Sequence, residues 1–332
     1  MAQHPTLSEF IYWEQESLSA GYADIGHILF AISLASRALH QDFSHLGFCS
    51  GTQLSGESLE GTERRREADN YAVARFKDIL EATGKVCALT TPDEKIIPLN
   101  SHHARKGGYL VTLDPIDGSR NLDVNIASGT IFSIYKRLSP VGSPVVTGDF
   151  LQPGRMQLAS GYVIYGPATI LLYSRGYGVN AFTLDSQANQ FYLTQDNIRY
   201  PKDHTFYSIN ENAEQKLEPG LQQYINYCRE SDPATGRPYK PRYTGSLVTD
   251  FHRNLMKGGI YMYPSYMDHP NGKLHLLFQC NPLAFLAEQA GGKASNGKTS
   301  ILELQPLEVG QQAPLLIGSE GMVRKAEEFI AG

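Results

Sequence analysis

The segment from Tyr109 to Asn121 reads Tyr-Leu-Val-Thr-Leu-Asp-Pro-Ile-Asp-Gly-Ser-Arg-Asn. Residues 109–113 have the composition of a buried strand, which delivers Asp114 at its end; Pro115 turns the chain, and Asp117 follows three residues after Asp114. A tight turn of this kind can aim both carboxylates at one point. Carboxylate oxygens suit hard divalent cations such as Mg²⁺, and phosphate oxygens can complete such a shell. Gly118 and Ser119 place backbone N–H groups beside that point, where a phosphate can bind. Cations held there can activate a water and neutralise a leaving alkoxide. Read alone, the segment is also compatible with a surface turn in which Asp114 caps backbone groups and Asp117 is solvated.

The rest of the chain narrows the setting. It has 332 residues, which suits two domains or one large one. Hydrophobic residues make up 41% and charged residues 19%, an ordinary globular balance that supports a sizeable core. The formal net charge is −5, and the run Arg64-Arg65-Arg66 is too short to track a nucleic-acid backbone, so no nucleic-acid partner is expected. No apolar run reaches the roughly 18 residues of a membrane span, and the N-terminus has no signal-peptide pattern. Cys49, Cys87, Cys228 and Cys280 show no CxxC spacing and read as reduced, mostly buried thiols of a cytoplasmic protein.

Hydrophobic spacing sets out the elements that must carry the acidic pair. Residues 24–39 read as an amphipathic helix capped by Asp24, and 69–82 as a second. Strands are expected at 86–89, 109–113, 129–135, 160–165, 168–173 and 181–184, with a loop over 138–149. The polar stretch 196–203 suggests a junction near residue 200, giving domains 1–200 and 201–332. Beyond it come helices at 221–228 and 249–256, a strand at 260–263, a helix capped by Asn281, and a last helix capped by Ser319. The mixture implies layered α/β units with two sheets.

The segment 114–121 resembles the DPxDGSxN signature of the lithium-sensitive phosphatase superfamily. Segments 151–155 (LQPGR), 207–212 (YSINEN), 242–246 (RYTGS), 258–264 (GGIYMYP), 270–274 (PNGKL) and 280–282 (CNP) resemble class I fructose-1,6-bisphosphatases, in the same order and at similar spacing. The resemblance runs over roughly residues 8–330. It implies a five-layer α/β/α/β/α fold, a homo-oligomer (dimer or tetramer), Mg²⁺ or Mn²⁺ as cofactor, and a sugar bisphosphate as substrate. Carried over by position, it implies catalytic roles for Asp114, Asp117, Asp69 and Asn70. It implies metal ligands at Asp93, Glu94, Asp114, Ile116, Asp117 and Gln279. For the sugar phosphate it implies Gly118, Ser119, Arg120, Asn210, Arg242, Tyr243, Tyr263, Lys273 and His275, with Arg242 given by the neighbouring subunit. An Arg fork, a Lys point charge and Tyr hydroxyls are the right donors for a phosphate.

Several positions depart from the family. Gln279 stands where the family has Glu, so a neutral amide replaces a carboxylate. The family's upstream Glu pair meets Thr91/Pro92, Pro92/Asp93 or Asp93/Glu94, depending on the gap. Arg120 replaces a Ser, His275 an Arg, and Ala213 a Tyr, and the family's Asn-Asp pair is inverted as Asp69-Asn70. Residues 20–24 lack the donors of the family's AMP site, Gly108 replaces its Lys and Lys136 its Arg, so AMP inhibition of the usual kind is not expected. Three readings of the function follow: Mg-assisted hydrolysis of the 1-phosphate of fructose 1,6-bisphosphate or a related ketose bisphosphate, slowed by the altered metal site; sugar-phosphate binding without hydrolysis; or other chemistry in the same pocket, with Arg120 and His275 in place of metal charge.

Overall fold

The computed structural model of the chain describes residues 4–17, 23–45, 61–93, 95–202 and 206–332. Three helices open it: α1 (Leu7–Ser17), α2 (Ala23–His45) and α3 (Gly61–Ala82). Next come β1 (Val86–Thr90), β2 (Ile96–Pro98), β3 (Tyr109–Asp117), β4 (Ser128–Lys136), β5 (Ala159–Tyr165), β6 (Thr169–Ser174), β7 (Val179–Asp185) and β8 (Gln190–Ile198). They form one eight-stranded sheet in the order β2-β1-β3-β4-β5-β6-β7-β8. The remaining elements are β9 (Phe206–Ser208), α4 (Pro219–Arg229), β10 (Lys240–Pro241), α5 (Leu247–Lys257), β11 (Gly259–Tyr263), β12 (Leu274–His275), α6 (Asn281–Gln289), β13 (Gly292–Ser295), β14 (Gln312–Ala313), β15 (Leu315–Ser319) and α7 (Glu320–Ala331). A five-stranded sheet runs β10-β9-β11-β15-β13, and β12 pairs with β14.

The apolar clusters define five layers. Ile25, Ile28, Leu29, Ile32, Ala35 and Leu39 of α2, with Ala72, Phe76 and Leu80 of α3, pack on Val111, Phe132, Val163 and Leu171 of the large sheet. Its other face, Ile131, Tyr162, Leu172 and Ala181, meets Leu247, Val248 and Phe251 of α5 and Leu283 and Leu286 of α6. The same two helices also cover Tyr261, Ala294 and Ile317 of the small sheet. Ile260, Met262 and Leu316 on that sheet's far face carry Leu221 and Tyr224 of α4 and Met322 and Val323 of α7. α6 is buried over nearly its whole length, whereas α5 keeps polar residues such as Arg253 and Lys257 on the side away from its apolar contacts.

The structure corrects several local expectations. The strand through the acidic motif does not stop at Asp114. It continues to Asp117 through an irregularity, with Asp114 opposite Ile131 and Asp117 opposite Gly129. Such a bulge admits Pro115, which has no ladder donor, and re-aims the flanking side chains. β8 escapes hydrophobic periodicity because it is an edge strand of mostly exposed polar residues. Asp24 lies within the first turn of α2, with its carboxylate 2.6 Å from the Lys85 ammonium. Asn281 does not cap α6, because a π-helical turn, Leu276–Cys280, leads directly into that helix. Ser319 makes no side-chain cap; its Oγ accepts the Gly259 N–H at 3.1 Å. Cys87, Cys228 and Cys280 are free and buried, and Cys49 lies outside the described residues.

Candidate active site

The bulge in β3 buries Asp114 and Asp117, 6% and 7% exposed. Asp117 is held by the start of α5: its Oδ2 accepts the Ser246 hydroxyl at 3.0 Å and the Val248 N–H at 2.9 Å. A helix N-terminus offers unpaired N–H groups and a positive dipole end, so a carboxylate is the natural partner there. Gly118 is required beside it. Its φ of +75° is left-handed, and a Cβ at that position would lie 2.9 Å from the Ser246 Cβ.

Asp114 is held from the other side. Gln279, on the π-helical turn before α6, donates from Nε2 to the Asp114 Oδ2 at 2.7 Å. The Oε1 of the same amide accepts the His275 N–H at 3.0 Å. Thr112 on β3 anchors the turn by donating to the Leu277 carbonyl at 3.2 Å.

Burial sets the titration of this group. Asp114 is raised well above the usual carboxylate range by burial, then by the charge of Asp117; the Gln279 hydrogen bond works against that, and Asp69 adds to it. Asp117 is pushed up to about 6 by burial, opposed by the Val248 and Ser246 hydrogen bonds. Asp69, on α3, is pushed up to about 7 by burial and by the charge of Asp93. Asp69 therefore lies within electrostatic reach of Asp93, and Asp114 within reach of Asp117 and Asp69. Their excess negative charge and all-oxygen chemistry fit a hard divalent cation. Among the described residues, however, no three His, Cys, Asp or Glu side chains close around a single point. Asp93 is exposed, Glu94 lies outside the described residues, and Ile116, whose side chain is buried, can offer only its carbonyl.

The residues of the sugar-phosphate set gather in part. Tyr243 is pushed up to about 12 by burial and then by Tyr263, Asp250, Tyr266 and Asp117. Tyr263 and Tyr266 are thus neighbours of Tyr243, and Tyr243 is within reach of the Asp117 charge. The Lys273 ammonium lies 5.8 Å from the Tyr266 ring centre, which brings it to the same group. Arg242 is exposed; it donates to the Pro241 carbonyl at 2.7 Å and lies 5.7 Å from the Phe206 ring centre. Asn210 follows β9 and accepts the Asn212 N–H at 3.2 Å, opening a short 3-10 turn. Ser119 starts another such turn, Arg120 and Asn70 are exposed, and His275 packs edge-on against Phe278 with ring centres 5.9 Å apart. Concavities of about 330 and 650 Å³ open elsewhere on the surface, the first beside Pro264 and Lys298 and the second beside Gly84 and His103.

Sequence reasoning missed the residues that hold the others in place: Ser246, Val248, Tyr266 and Asp250. Asp250 is fully buried and accepts the Thr244 N–H at 2.9 Å, with the Arg253 guanidinium 2.8 Å away. Arg253 in turn donates to the Arg242 carbonyl at 3.1 Å. A Ser at 246, three residues before Thr249, was the available cap signal.

An acidic bulge in a central strand, held by the N-terminus of a helix sandwiched between two sheets, defines a layered α/β protein with a buried acidic pair. Its family follows from its similarity to known proteins. A family model described as the fructose-1,6-bisphosphatase N-terminal domain matches residues 5–196, and one described as its C-terminal domain matches residues 200–331. The chain therefore belongs to the fructose-1,6-bisphosphatase family. It is similar to the crystal structure of Leishmania major fructose-1,6-bisphosphatase in holo form: 32% identity over 98% of this chain and 99% of that one, TM-score 0.87. The apo form matches at 31% identity over 99% and 100%, TM-score 0.86, and the T-state at 31% over 98% of both, TM-score 0.85.

Proposed function

We propose that the chain hydrolyses the 1-phosphate of fructose 1,6-bisphosphate. The observation that carries this reading is the joining of two groups: the buried pair Asp114 and Asp117, and the Tyr243, Tyr263 and Lys273 set, whose Tyr243 feels the charge of Asp117. One group suits the reacting phosphate and the other the distal phosphate.

In the reaction a water oxygen bonds to phosphorus as the bond from phosphorus to the sugar oxygen breaks, and that oxygen leaves as an alcohol. A divalent cation, Mg²⁺ or Mn²⁺, when bound supplies an acidified water and neutralises the developing charge. Asp93, Asp114 and Asp117, with Glu94, are the residues that would hold it. Asp69, near neutrality at about 7, is suited to accept the proton that water loses. Asn70 follows it on α3. Gly118 and Ser119 offer N–H groups to the reacting phosphate, and the exposed Arg120 reaches it as a fork of donors. Lys273, Tyr243, Tyr263 and Asn210, with Arg242 from a neighbouring copy of the chain, hold the distal phosphate and orient the sugar. AMP control of the family's usual kind is not part of this reading: Gly108 has no side chain to offer, and the Lys136 ammonium lies 4.6 Å from the Tyr109 ring centre.

Phosphate release from fructose 1,6-bisphosphate, measured across Mg²⁺ and Mn²⁺ concentrations, tests the proposal. Metal-dependent release that Asp114→Ala and Asp117→Ala abolish is expected. Binding of the bisphosphate without release at any metal concentration would instead establish a sugar-phosphate-binding protein.

A further inference from the structure

The Gln279 amide bridges two fixed partners, and their chemistry decides which way round it sits. The backbone N–H of His275 is a donor with no alternative role. Leu274 and His275 are held by pairing with Ala313 and Gln312, and the Leu276 N–H donates to the Gln311 carbonyl at 2.7 Å, so this N–H does not swing away. The amide atom 3.0 Å from it must be the oxygen. The NH₂ group therefore faces the Asp114 Oδ2, at 2.7 Å. Turning the amide over would set NH₂ against N–H and oxygen against carboxylate, losing both bonds at once.

Resting on the metal-dependent reading above, we infer that Gln279 is a hydrogen-bond donor that takes the place of a cation at Asp114, and not a metal ligand. A carboxylate at this position could accept the His275 N–H through one oxygen and turn the other toward a cation shared with Asp114. The amide presents hydrogens in that direction, and hydrogens do not coordinate. The NH₂ group also takes up the Asp114 Oδ2 as its own acceptor, at 2.7 Å. The chain therefore holds one divalent ion fewer than it would with a carboxylate at 279, and the binding that remains depends on Asp93, Asp114 and Asp117.

The test is the number of Mn²⁺ ions bound by the full-length protein, read from the loss of the free-ion electron paramagnetic resonance signal, with and without inorganic phosphate. Gln279→Glu is expected to bind one more Mn²⁺ per chain than the wild type. Gln279→Met, of similar volume and with neither donor nor oxygen, is expected to keep the wild-type number, with affinity within about threefold. Loss of a bound Mn²⁺ in a folded Gln279→Met protein would show that the amide is a ligand and overturn the inference. So would an unchanged count in Gln279→Glu, which can be read even if the Met variant fails to fold, and so would absence of Mn²⁺ binding in both wild type and Gln279→Glu. The expected counts in a protein that releases no phosphate would leave this inference standing and overturn the phosphatase reading.

Discussion

The Ser246 hydroxyl meets the Asp117 carboxylate at 3.0 Å, joining the end of β3 to the start of α5 across 129 residues. With the Val248 N–H it orients one carboxylate of the reacting pair from a rigid helix end. A hydrogen bond to a charged group contributes about 1.5–3 kcal/mol, so Ser246→Ala should lower kcat roughly tenfold or more while the protein stays folded. Gly118→Ala should be worse, because it combines a strained φ, costing about 1–3 kcal/mol, with a clash on the same Ser246. Steady-state kinetics beside thermal unfolding separates the two effects. A Ser246→Ala protein with wild-type kcat would show that Val248 alone suffices.

Lys273 brings an ammonium to the tyrosine group, 5.8 Å from the Tyr266 ring centre. Lys273→Ala should weaken fructose 1,6-bisphosphate binding by about 1.5–3 kcal/mol, roughly ten- to a hundredfold, with little effect on stability at this exposed position. Calorimetric titration measures it directly. Unchanged affinity would remove Lys273 from the distal-phosphate set.

Arg242 is exposed, and its guanidinium rests on the Pro241 carbonyl and near the Phe206 ring. An Arg so placed is available to a second copy. Light scattering should therefore give at least a dimer at micromolar concentration, and Arg242→Ala should weaken bisphosphate binding without dissociating it. A monomer that binds the bisphosphate at full strength would exclude donation from a neighbour.

Asp250 and Arg253 form the brace behind this loop. Asp250 takes the Thr244 N–H and hydroxyl, and Arg253 takes the Arg242 carbonyl and the Ser208 hydroxyl. Asp250→Asn takes the counter-charge from the half-buried Arg253 and weakens hydrogen bonds made to a charged group, a loss of about 1.5–3 kcal/mol. The loop carrying Arg242 and Tyr243 should loosen, raising KM roughly tenfold with kcat nearly unchanged, the pattern of lost uniform binding. An equal fall in kcat and kcat/KM would instead tie the brace to the transition state.

What sequence could and could not reveal follows from the range of each interaction. The acidic pair was legible because strand, Pro, Gly and both carboxylates lie within one short segment. The helices α2, α3 and α5 were legible from their apolar stripes, since a period near 3.6 survives tertiary context. The bulge in β3 was not, because it depends on the register against β4. The grip of Ser246 on Asp117 and the orientation of Gln279 were hidden for a similar reason: each depends on which distant N–H or O–H the fold brings up. The amide at 279 matters in the sequence for the charge it lacks, whereas the His275 N–H decides what that amide shows to Asp114. β8 was invisible because an edge strand that buries few side chains has little period-2 signal.

His252 on α5 links the protein's stability to pH. Its Nδ1 lies 2.8 Å from the hydroxyl of the buried Tyr162, and burial pushes its pKa down from 6.5 to about 4. The folded state thus favours the neutral ring, which shares a hydrogen bond with the Tyr162 hydroxyl, while the unfolded chain takes up a proton near its ordinary value. Where the unfolded state binds more protons, stability rises with pH. The contribution of His252 is therefore present in full above 6.5 and is lost as the pH falls from there toward 4. The buried acids Asp69 and Asp114, with raised values, pull in the opposite direction on acidification, so the effect must be read as a difference between proteins. His252→Gln keeps an acceptor for Tyr162 but does not titrate. Urea midpoints at several pH values across this range should fall more steeply for the wild type than for His252→Gln, and the two curves should run parallel above neutrality. Parallel curves throughout would mean that the buried ring does not change its protonation on unfolding, and that Tyr162 is held some other way.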